Sequence, residues 1–195
     1  MNKSKLPSAL LAATAGCAVL IASCTDPVPD TRIEDLGPEL GDTNEFHRPG
    51  QPCVLCHNDN GPASSSPFSL AGTVYVRRTG KLEPAVGVEI LLVDSNDSSP
   101  TDSNGPVPIF TNAVGNFRIP KSLWDPAFPI RTNIYCGANP GPVQCAAPGT
   151  RRPMQSHIGR EPDCAACHYD GVGANGKRDS IKALSAVGHI YLLNE

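Results

Sequence analysis

Aromatic residues make up only 5% of this 195-residue chain and charged residues 18%, so its side chains alone promise a lean core. Lys and Arg number 16 against 19 Asp and Glu, a net charge of −3. Without a basic excess there is no electrostatic footprint for nucleic acid. The apolar and small-residue run from Leu10 to Ala22 falls short of the roughly 20 residues of a membrane-spanning helix. Methionine is nearly missing, with Met154 the only one after Met1. What the chain has instead is Gly 18 and Pro 20, about a fifth of its length, which favours turns and short strands over long helices. It also has eight cysteines, and their placement carries most of the reading.

Lys3 and Lys5 precede the apolar run, and those flanks read as a secretory signal. The run closes with Ile21-Ala22-Ser23-Cys24, which resembles the lipobox of bacterial lipoproteins. The resemblance implies that Cys24 is diacylated and becomes the mature N-terminus, anchored firmly because two acyl chains hold where one is marginal. Thr25, in place of Asp, resembles the pattern of Gram-negative lipoproteins sent to the outer membrane. Loss of residues 1–23 removes two lysines and no acid, which brings the charge to −5. Thr25 to Glu45 contains seven acids, the one base Arg32, and Pro27, Pro29 and Pro38, so it reads as an extended tether.

Cys17 lies in the signal, which leaves six cysteines beyond Cys24. Four fall into Cys53-Val54-Leu55-Cys56-His57 and Cys164-Ala165-Ala166-Cys167-His168. Each is a complete C-x-x-C-H, the haem-attachment sequence of c-type cytochromes. Two cysteines three positions apart lie on one side of a helical turn and match the two vinyl groups of one haem. The histidine that follows is placed to ligate the iron, which gives His57 and His168 as proximal ligands. One competing reading pairs the motifs into a four-cysteine zinc site, but their first cysteines are 111 residues apart, against about 15–20 in zinc ribbons. Another reads redox dithiols, but neither motif sits in a βαβ pattern. Cys136 and Cys145 enclose a Pro/Gly loop and read as a local disulfide in an oxidising compartment.

Three histidines remain. His47 precedes Cys53 by six residues and His157 precedes Cys164 by seven, so the two segments resemble a weak repeat. These two are candidate distal ligands, with His189 and Met154 in reserve; surface or core roles are the plain alternatives. A histidine on each open iron face favours electron transfer, because no site stays free for oxygen or peroxide. Which histidine would serve which haem is left open by the sequence.

Between the motifs the pattern is β. Leu70, Gly72, Val74 and Val76 alternate with Ala71, Thr73, Tyr75 and Arg77, the period of a half-buried strand. Val86 to Val93 reads as a central strand and Asp94 to Pro108 as a polar loop whose acids lack the full EF-hand spacing. Ile109 to Thr111 and Asn116 to Ile119 read as a hairpin, with further strands at Ile130 to Tyr135 and Ile190 to Leu193. Gly171 to Gly176 matches G-x-G-x-x-G but follows a haem motif, not a strand, and so reads as a loop.

The runs Ala71-Gly72-Thr73-Val74-Tyr75, Pro84 to Ile90 and Thr111 to Phe117 resemble carboxypeptidase-regulatory-like and Cna-B-like modules. That resemblance implies a transthyretin-like β-sandwich, usually a non-catalytic scaffold. The expected fold is therefore mainly β, a sandwich flanked by two short, loop-rich haem-binding segments. The expected divisions are a signal peptide (1–23), an acidic tether (24–45), a first haem segment (46–67) and the sandwich (68–135). A last part (136–195) holds the disulfide loop, the second haem segment and a C-terminal strand. The whole resembles small, membrane-tethered dihaem c-type cytochromes of bacteria. This implies two covalent haems, redox proteins of the envelope as partners, lipid attachment to the outer membrane, and electron transfer in preference to catalysis. The competing functions are a peroxidase-like enzyme with one open iron, and an adhesion or carbohydrate-binding module.

Overall fold

The strand β1 (Phe68–Tyr75) organises the molecule. The structure is a computed structural model that describes residues 27–39, 42–78, 81–137, 145–169 and 188–193. The signal segment, Cys24 and the Gly171 to Gly176 loop lie outside the described residues. Among those described, the remaining strands are β2 (Glu89–Val93), β3 (Thr101–Asp102), β4 (Gly105–Pro106), β5 (Ile109–Phe110), β6 (Asn116–Pro120), β7 (Arg131–Tyr135), β8 (Arg151–Pro153) and β9 (Ile190–Tyr191). Three helices accompany them: α1 (Pro27–Asp35) and two single turns, α2 (Cys53–Cys56) and α3 (Cys164–Cys167). The fold is mainly β, as the alternating pattern implies, and none of the described helices is long and apolar enough to cross a membrane.

One sheet has the order β6-β1-β9, with β6 antiparallel and β9 parallel to β1. A second runs β5-β2-β7-β8, all antiparallel, and β3 with β4 forms a small ribbon. Leu70 and Val74 of β1, Phe117 and Ile119 of β6, Ile90 and Leu92 of β2 and Ile134 of β7 belong to one buried cluster, so the two larger sheets share a core. Cys136 and Cys145 are disulfide-bonded within it, with Cα atoms 5.9 Å apart. Asp94 is buried at the end of β2, where its carboxylate accepts backbone N–H bonds from Asn96, Ser98 and Ala127. Burial pushes its pKa up, but those three donors outweigh it and hold the carboxyl below its ordinary value.

Three local readings differ from the structure. The first is the tether, since Pro27–Asp35 is helical, not extended. Prolines are tolerated in a first helical turn, where their missing N–H has no intrahelical partner anyway. The helix ends at Gly37, at φ +70°, and Arg48 binds the carbonyls of Leu36 and Gly37 at 3.5 and 2.8 Å. The second is the hairpin. Asn112 caps a tight turn by accepting from Val114 and Asn116, but β5 then pairs with β2 and β6 with β1, so the turn carries the chain from one sheet to the other. The third is the half-buried strand. From Ser69 to Tyr75 every residue of β1 is buried, because α2 and α3 both pack against it.

Candidate functional site

The two C-x-x-C-H motifs, far apart in sequence, meet on β1. In each, the histidine N–H closes a turn onto the carbonyl of the first cysteine: His57 to Cys53 at 2.9 Å and His168 to Cys164 at 2.7 Å. Asn58 finishes α2 by donating to the carbonyls of Val54 and Leu55. The loop before α2 is pinned to the sheet where Thr73 Oγ1 accepts from the Gly50 N–H at 2.8 Å and donates to Asn116. Asn116 in turn donates to the His47 carbonyl at 3.0 Å.

The segment before α3 joins the other edge of β1, with Ala71 bridged to Asp163 and the Ala71 N–H bonded to the Pro162 carbonyl. A side chain at Gly72 would lie 2.7 Å from Cys164 Cβ, so only glycine lets this turn lie on the strand. Asp163 supplies the join between the motifs. Its Oδ1 accepts the Ala165 N–H at 3.2 Å in its own turn, and its Oδ2 accepts the Val54 N–H at 2.8 Å in the other.

Both proximal candidates show the same arrangement at Nδ1. His57 Nδ1 lies 2.8 Å from the Ser66 carbonyl and His168 Nδ1 lies 3.1 Å from the Gly188 carbonyl. A carbonyl only accepts, so in the neutral imidazole the proton sits on Nδ1 and Nε2 carries the lone pair, the tautomer that suits a metal-ligating histidine. Burial lowers the His168 pKa, and His189 nearby adds to this against the opposing bond to Gly188, which favours the neutral imidazole. The His57 ring stacks on Phe68 at 4.1 Å and 11°.

A cavity of about 640 Å³ lies beside α2, within the range of ligand sites. Cys53, Cys56, His57 and His47 line it, together with the apolar Ile33, Leu36, Phe68 and Phe117. His47 Nδ1 is bonded to the Asn44 carbonyl, and its ring lies 6.0 Å from that of His57 with planes inclined by 29°.

His189 packs against Tyr75 at 4.8 Å, and a Cβ on Gly50 would lie 3.5 Å from its Cε1. It thus stands between the loop of the first motif and His168 of the second. His157 is exposed beside Ile158, whose backbone pairs with Ile130. Met154 packs, partly buried, against the core. The repeat-like spacing of His47 and His157 therefore does not give them equivalent places.

Burial pushes the Cys53 thiol up to about 12 and the Cys164 thiol higher still, with the Asp163 charge adding to both. Burial likewise raises Cys56. Reactive redox cysteines need the opposite shift, toward thiolate. Among the described residues, which include all four motif cysteines, no three His, Cys, Asp or Glu side chains are grouped as ligands of one metal ion. The sequence reading missed Asp163 and Gly72; its only available signal was an Asp before a short turn, a common N-cap.

Comparison of the chain with protein families, with curated proteins and with solved structures found no match.

Proposed function

We propose that this chain is a lipid-anchored dihaem c-type cytochrome that passes single electrons between redox partners of the bacterial envelope. Cys53 and Cys56 would hold one haem and Cys164 and Cys167 the other, with His57 and His168 as proximal ligands. Bound haem iron supplies the one-electron couple. The chain's own contribution is to keep two cysteine pairs in place, each with an imidazole whose Nδ1 faces a backbone carbonyl.

The observation that carries this reading is that Cys53, Cys56, His57 and His47 together line one cavity of about 640 Å³ beside α2. His47, on the same cavity as the first cysteine pair, would be the distal ligand of the first haem, a role that would favour transfer over peroxide chemistry. His189, which packs on Tyr75 next to the Gly188 carbonyl that faces His168, is the distal candidate at the second. The two sheets with a common core act as a transthyretin-like sandwich scaffold, and the porphyrins would supply the apolar surface that the sparse aromatics do not.

The test is a pyridine haemochrome assay on chain expressed with c-type maturation machinery, scaled to protein concentration. Two covalent haems per chain are expected, with a low-spin ferric spectrum. A colourless protein would return the cysteines to metal or thiol chemistry.

A further inference from the structure

The turn α2 lacks a cap of its own. Its N-cap position is Pro52, which makes no side-chain capping bond, yet its Val54 N–H is buried and bonded. The acceptor is Asp163 Oδ2, from 109 residues further along the chain. Asp163 is only 3% exposed, and its other oxygen caps α3 in the ordinary way. Its backbone is fixed from the side by the bridge to Ala71 of β1, and its N–H donates to Glu161 at 3.2 Å. One carboxylate thus supplies the caps of both attachment turns, and each turn lies within four residues of a proximal histidine candidate.

We infer that Asp163 is a positioning residue that locks the two attachment turns into one unit, so that a change at one cofactor site is transmitted to the other. This rests on the dihaem reading. A cap serving only α3 needs a single oxygen, and Asp, Ser and Asn do that work about equally well. The second oxygen is what reaches α2, and a serine has none to offer.

The experiment is Asp163→Ser, with Asp94→Ser as the control for losing a buried, backbone-capping carboxylate elsewhere. Amide hydrogen exchange is read at Val54 and Ala165 in the matured chain. The expected result is that Val54 exchanges faster by at least about tenfold, the equivalent of one lost buried hydrogen bond, while Ala165 stays protected. In a one-haem chain carrying Cys164→Ser and Cys167→Ser, Asp163→Ser is also expected to shift the reduction midpoint and Soret circular dichroism of the first haem. Unchanged Val54 exchange together with an unchanged first haem would overturn the inference. If Asp163→Ser yields too little folded protein, Asp163→Asn keeps the shape and one acceptor, and the same readings decide. Haem content measured on the same samples separates the two failures: a chain without haem refutes the cytochrome reading, whereas Val54 exchange still tests the shared cap.

Discussion

The ring centres of His47 and His57 lie 6.0 Å apart on a cavity also lined by Cys53 and Cys56. Ten residues separate these histidines in sequence, and three tethers set their spacing. The Asn44 carbonyl holds one ring, the Ser66 carbonyl holds the other, and Asn116 of β6 holds the backbone of His47.

With two haems bound as proposed, His47→Ala should convert one of them from low-spin to high-spin ferric and let it bind carbon monoxide when reduced. His157→Ala should leave both spectra unaltered, since His157 is exposed beside Ile158. Absorption spectra with and without carbon monoxide decide; an unaltered His47→Ala spectrum would remove His47 from the iron.

Gly72→Ala puts a methyl group 2.7 Å from Cys164 Cβ and about as close to the Phe117 ring. Overpacking of this kind costs about 1–3 kcal/mol. A lower urea midpoint, with weakened retention of the second motif on β1, is the expected outcome. A midpoint equal to the parent's would mean that α3 does not lie where the structure puts it.

Desolvation raises the Asp163 pKa to about 7, against the lowering effect of the Val54 and Ala165 N–H groups; Glu161 adds to the rise. An acid whose pKa rises on folding favours the folded state at low pH, and that contribution fades as pH climbs from about 4 toward 7. Through this group the protein should lose up to a few kcal/mol of stability between pH 4 and 8. Asp163→Asn should flatten the profile. Urea midpoints at four or five pH values give the answer, and parallel profiles for parent and variant would count against it.

Replacing Cys136 and Cys145 by Ser opens a loop of sequence separation 9 whose ends both lie in the core. By chain entropy the loss should be roughly 2–3 kcal/mol. Denaturation of the double variant, and of the parent with reductant, should agree on it.

Much of the scaffold was legible because strands advertise themselves by period. Leu70, Val74 and Val76 fall in the core, and the alternate Thr73 and Tyr75 meet the loop at Gly50. The local join of each cysteine pair to its histidine was legible because the C-x-x-C-H spacing fits one turn, closed from His57 to Cys53 and from His168 to Cys164. Sheet membership was not, since Asn112 makes the same turn whether the strands beyond it pair with each other or part. Nor was the helix at Pro27–Asp35, where two prolines suggest an open chain until their place in the first turn is known. The meeting of the motifs was the least legible. It depends on a missing Cβ at Gly72 and a spare oxygen on Asp163, and neither residue announces its partner.

The bond between Val54 and Asp163 also means that α2 stays uncapped until residue 163 has been made. Contacts of such long sequence separation form late in folding. As the chain emerges, the first motif is complete while the residue that caps it is still 109 positions away. On the proposed reading, a haem attached at Cys53 and Cys56 before α3 docks would be carried on a turn that is not yet capped.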